Sequence, residues 1–304
     1  MKETPAMIPL PMPLFSHASE PAAMMQVGPN PMERAASPLP IPRRRTVIEP
    51  APGASGEPQM RKVDRFALCM AKASKDPSLA LAEAHGWLAE LKTPEEKVRP
   101  NQCLGMLHAQ LGQFDDAEGA FAAAIAGIPA AQAVSAVPMM AMAGNAALAG
   151  GHPDRALGWF DKALAVLGYS DNAALGGVQA DRSRALVALG RNADAVTALQ
   201  EAHRLAPEDA EGWLLSATLA RRDKDLPRAQ RDIEVAARLA PLDPAIGIEA
   251  GVIAVLDGRD EAARRSWESV VKAAPDSDEA KVAKGYLEQL GPAAASVPPE
   301  KKPS

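Results

Sequence analysis

Aromatic residues make up only 4% of this 304-residue chain, and cysteine occurs just twice, as Cys69 and Cys103. The shortage of aromatics excludes a large aromatic-lined pocket. There is no basic excess either: the formal charge is −5, whereas a dedicated nucleic-acid binder presents a strongly basic domain. No apolar run approaches the roughly 18 residues of a membrane helix, so no membrane span is expected. Catalytic signatures are missing as well. The five histidines (His17, His85, His108, His152 and His203) show no metal-ligand spacing. No nucleophile elbow, phosphate loop or dinucleotide fingerprint occurs, and no strand pattern could carry one. No catalytic residue, metal site or cofactor is therefore expected. The acidic pairs Asp115-Asp116 and Glu208-Asp209 stand at helix or repeat starts, where carboxylates complement the helix dipole.

What the chain does have is a recurring frame. Ala117, Ala156, Ala195, Ala229 and Ala263 follow one another at steps of 39, 39, 34 and 34 residues. Twelve positions before each alanine stands a small residue (Gly105, Gly144, Ser183, Ala217, Gly251). Four positions after it comes a large one (Phe121, Phe160, Leu199, Ile233, Trp267). Small side chains let two helices approach to the lower end of the usual separation of about 8–10 Å, and the large ones are expected to fill the gap toward the next repeat. Pro129, Pro207, Pro241 and Pro275, with Gly168 as the exception, close each unit, because proline cannot continue a helix. Turns at Gly112, Gly150-Gly151, Gly190 and Gly258 supply the left-handed residue that ends a helix.

This pattern resembles the tetratricopeptide repeat, whose period is about 34 residues. The expected fold class is all-α, an α-α superhelix flanked by disordered proline-rich tails. Residues 1–61 hold thirteen of the 28 prolines and are expected to form a disordered arm, with Arg43-Arg44-Arg45 as a solvated or partner-docking charge block. The solenoid is expected over 62–291. It comprises a degenerate repeat at 62–97, repeats at about 98–131, 137–170, 176–209, 210–243 and 244–277, and a capping helix at 278–290. Residues 292–304 are expected to form a second loose tail. Thr93-Pro94-Glu95-Glu96 reads as a capping box, with Pro100 kinking the following helix or starting it. The two 39-residue steps predict broken connections or longer first helices around Val137-Pro138 and Gly176-Gly177.

The resemblance further implies a concave face, built from the first helix of each repeat, that holds a partner's extended peptide or helix. Its positions in this chain are Gln102, Met106, Ala141, Asn145, Ala180, Arg184, Leu214, Thr218, Arg221, Ile248, Val252 and Val255. Asn145 and Arg184 match in part the subset of the family that grips a terminal carboxylate; Ala141, Ala180, Leu214 and Ile248 do not. Asn145, Arg184 and Arg221 are expected to meet an acidic or carbonyl group of the partner, the two arginines being open to solvent, with Ile248, Val252 and Val255 offering apolar contact. Cys69 and Cys103 fall on neighbouring first helices, as a possible disulfide or as two buried thiols. The expected function is a non-enzymatic scaffold for another protein. The alternative is an exported, periplasmic envelope-assembly or lipoprotein-like factor. The apolar stretch from Ile8 to Phe15 is short and broken by prolines, a poor signal-peptide core, so the cytoplasm is the expected compartment and the periplasm the second.

Overall fold

The structure is a computed structural model that describes residues 64–292. The expectations for the arm over 1–61, for Arg43-Arg44-Arg45 and for the tail beyond residue 292 fall outside these residues. Among the described residues there are thirteen α-helices and no strand. They divide into two compact units, one ending at Asp171 and the other starting again at Asn172.

The first unit contains α1 (Arg65–Ala73), α2 (Pro77–Ala89), α3 (Val98–Gln110), α4 (Phe114–Ala126), a 3-10 segment (Ala130–Ala136), α5 (Val137–Ala149) and α6 (Pro153–Leu164). The second contains α7 (Asn172–Ala188), α8 (Asn192–Leu205), α9 (Ala210–Arg222), α10 (Leu226–Leu239), α11 (Pro244–Leu256), α12 (Asp260–Ala273) and α13 (Asp278–Leu290). Within each unit, consecutive helices form antiparallel hairpins.

The hairpin turns share one hydrogen-bond plan. Beyond the first helix the N–H of Gln113, His152, Arg191, Asp225 or Arg259 reaches back to the carbonyl of His108, Ala147, Leu186, Ala220 or Ala254, at 2.8–2.9 Å. Such a closure needs a left-handed residue just before the donor. Gly112, Gly151, Gly190 and Gly258 provide it, and in the remaining turn Lys224 does so with φ 63°. This fifth turn lacks the glycine signal that marks the others.

The alanine frame is the closest helix crossing. All five alanines are fully buried. A Cβ placed on Gly105 would lie 2.6 Å from the Phe121 ring, and Gly144 and Gly251 are crowded in the same way by Phe160 and Trp267. The bulky residue therefore lies across the small residue of its own hairpin. Phe121 also joins the cluster of Ala109, Ala117, Ala143 and Ala146, so it spans to the next hairpin as expected.

Local details settle what the sequence reading left open. The capping box closes, with Glu96 accepting from the Thr93 N–H at 3.1 Å and the Thr93 hydroxyl accepting from the Glu96 N–H. It caps a separate turn, however, and α3 begins only at Val98. Pro100 sits buried in the first turn of α3, where a missing N–H costs nothing. Of the two 39-residue steps, one is taken up in a broken connection that holds the seven-residue 3-10 segment, and the other lengthens the first helix α7 to 17 residues. Gly176 and Gly177 are thus helical, and Gly176 is needed because an added Cβ would meet that of Ala206 at 2.5 Å.

Candidate protein-binding surface

The first helices carry the residues expected to face a partner. In the first unit, Gln102 and Met106 on α3 and Asn145 on α5 are half-buried. Met106 leans on the cluster containing Ala109 and Phe121, beside Met142 and Trp159. Gln102 is a hydrogen-bond acceptor for Arg99 at 3.5 Å. Ala141 is also half-buried. This row thus presents partly open thioether and amide groups, with exposed Arg99 beside Gln102.

In the second unit the expected cations are already engaged. Arg184 on α7 pairs with Asp181 on its own helix and with Glu211 on α9. Arg221 on α9 pairs with Glu249 on α11 at 2.6 Å, and Glu249 is only 5% exposed. Burial acts to lower the Arg184 pKa, but the carboxylates of Asp181 and Glu211 outweigh it and raise the value above that of an ordinary guanidinium. These arginines tie successive first helices together. The expectation of solvent-facing cations fails, because a carboxylate about two helical turns short of one full 34-residue period reaches each of them. That offset, 27 residues from Arg184 to Glu211 and 28 from Arg221 to Glu249, is the signal that would have exposed the pairing.

The apolar positions divide. Ala180, Leu214, Thr218 and Ile248 are buried and serve packing. Val252 and Val255 remain partly open, beside Tyr286, Leu287 and Leu290 of α13.

Two arrangements escaped the sequence reading. His203 stacks on Trp213 with ring centroids 3.6 Å apart and planes 8° from parallel. The indole N–H of Trp213 donates to the Pro207 carbonyl at 2.9 Å. On the second helix of the next hairpin, Asp232 accepts from the Ser216 hydroxyl at 2.7 Å while Arg228 donates to the same hydroxyl oxygen at 2.9 Å. Among the described residues no group of three or more His, Cys, Asp or Glu side chains could hold a metal, and no helix is long and apolar enough to cross a membrane.

A family model described as tetratricopeptide repeat matches residues 176–219, the span from the first turns of α7 into α9. No curated protein matches the chain in sequence. Solved structures do match in shape. PilW, described as a widely conserved type IV pilus biogenesis factor, is 17% identical and covers 72% of this chain and 96% of its own, with a TM-score of 0.60. The Pseudomonas aeruginosa protein pilF is 12% identical and covers 73% and 96%, with a TM-score of 0.57. A tetratricopeptide protein of Thermus thermophilus, TTC0263, is 20% identical and covers 63% and 99%, with a TM-score of 0.51. The class defined is the tetratricopeptide-repeat solenoid. This chain carries such a repeat over 176–219 and has that fold through its described helices.

Proposed function

We propose that the protein is a non-enzymatic scaffold that holds a segment of another protein against its first helices. The observation that carries this reading is the half-open row Gln102, Met106 and Asn145, set on helices whose other faces are sealed by the alanine frame. Methionine is a flexible, polarisable contact that adapts to varied apolar side chains. The segment taken there is therefore apolar or uncharged, a peptide or one face of a helix. Arg184 and Arg221 play no part in gripping it, since their charge is spent within the protein.

The test is affinity capture with the full chain, repeated with Met106→Glu. This substitution places a charge in the open row and leaves the Arg–Glu pairs intact. Partners that bind here are lost with Met106→Glu while the thermal melt stays near that of the parent. Undiminished capture by a folded Met106→Glu protein overturns the assignment of this face. Arg184→Glu is unsuited to the purpose, because breaking a buried pair costs about 3–5 kcal/mol and the variant would lose binding by unfolding.

A second reading, an exported factor working in an oxidising compartment, is favoured by the pairing of Cys69 with Cys103, since disulfides persist mainly in such compartments. Fractionation of the producing cells tests it: recovery of the protein solely with the cytosol counts against export.

A further inference from the structure

The first hairpin is built unlike the others. Of the nine residues of α1 only Cys69 and Ala73 are buried, and of the thirteen in α2 only Ala80 and Ala84. No large side chain of this hairpin is buried, whereas the next one contributes Leu104, Leu107 and Phe121. Phe66 and Met70 of α1 add half-buried packing against the same small core, and the remaining contacts of α1 lie near the surface. Arg65 pairs with Glu90 and its guanidinium lies 5.1 Å from the Trp87 ring centre. Arg99 sits over the Phe66 ring, and the Gln110 amide donates to the Ala73 carbonyl at 3.2 Å. Exposed ion pairs of this kind stabilise little.

Against this background one contact stands apart. Cys69 on α1 is bonded to Cys103 on α3, with Cα atoms 6.6 Å apart, inside the range a disulfide spans. Both sulfurs lie in the small core of Ala73, Ala80, Ala84, Leu104 and Leu107. We propose that this bond is the fastening of α1 and that its reduction releases α1 from α3 while α3 to α6 stay folded, making the amino-terminal edge of the first unit redox-dependent. The inference is independent of any partner.

The chemistry is thiol–disulfide exchange. One cysteine thiolate attacks a small-molecule or protein disulfide, such as oxidised glutathione, and expels one thiolate. The second cysteine then displaces the other half from the mixed disulfide. Two protons and two electrons leave the protein, and the oxidant becomes two thiols. In reverse, a dithiol attacks at Cys69, which is 8% exposed whereas Cys103 is fully buried, and two exchanges return both cysteines to thiols.

The test uses the full chain, folded in a glutathione redox buffer. It is first denatured in iodoacetamide without reductant and weighed. It is then followed by hydrogen exchange, with and without dithiothreitol, over 65–73 and 114–126. We expect no alkylation before reduction, and after reduction exchange at least tenfold faster over 65–73 with little change over 114–126. Cys69→Ser should behave as the reduced protein without any reductant. Alkylation of both cysteines in the unreduced sample overturns the proposal. So does exchange over 65–73 that is unchanged by both reduction and Cys69→Ser, or loss of protection over both segments together.

Discussion

His203 is a half-buried imidazole with no hydrogen-bond partner for Nε2. Burial holds its pKa below the ordinary value of 6.5, against the opposing effects of the Gly212 backbone and the carboxylates of Asp232 and Asp209; nearby Arg228 lowers it further. The unfolded chain therefore takes up this proton at a higher pH than the folded one. The stability that His203 contributes is complete above about pH 6.5 and is lost as the pH falls below that value. Thermal melts of the parent should drop between pH 7.5 and 5.5 by more than those of His203→Gln. Equal slopes would show that this histidine titrates alike in both states. Lys224 offers a test of opposite sign. It is exposed and adopts φ 63°, where a residue with a Cβ is strained by roughly 1–2 kcal/mol. Lys224→Gly should raise stability by about 0.5–1 kcal/mol after the added freedom of the unfolded chain is subtracted, measured as a higher urea midpoint.

At the level of the helix, the frame alanines set the spacing. Ala195 on α8 is fully buried and Ala202, two turns on, is 3% exposed. Added methylenes at such a crossing force rotamers off their minima or drive the helices apart, which costs about 1–3 kcal/mol. Ala195→Leu and Ala202→Leu should each lower the denaturation midpoint accordingly, and a midpoint matching the parent would mean that α7 and α8 do not meet there. These elements were legible in the sequence because one steric requirement repeats: a small residue, an alanine and a bulky residue at fixed offsets identify each hairpin. Asp64, Asp76, Asp209, Asp225, Asp243 and Ser277 cap helix N-termini by accepting backbone N–H groups, a separate local device from the steric frame. The binding face was less legible. Whether Arg184 is open or engaged depends on a carboxylate 27 residues away, and Ile248 and Val252 differ in exposure although they lie one turn apart on the same helix. Local pattern places a residue on a helix face; only the neighbouring helix decides what it meets.

For the molecule as a whole, the carboxyl-terminal edge depends on α13. Trp267 is 3% exposed and donates its indole N–H to the Ile248 carbonyl at 3.2 Å. Tyr286 covers it with ring centroids 5.0 Å apart. A stacked repeat array needs a cover over its last apolar face. Ending the chain at Asp276 should shift the tryptophan emission to the red, lower the melting temperature and reduce solubility. A truncated protein unchanged in all three would show that Trp267 is shielded without α13.

The Arg–Glu pairs also bear on how such an array can change length. Hairpins that met only through small and apolar side chains would be interchangeable, like links of one chain. These are not. Excising residues 210–243, one whole period, would bring Ala245 to the place of Glu211 and leave Arg184 with Asp181 alone. It would also set Glu249 opposite Val187 instead of Arg221. Each buried charge thus acts as an address that names its neighbour, and the order of these hairpins is written into the chain along with their shape.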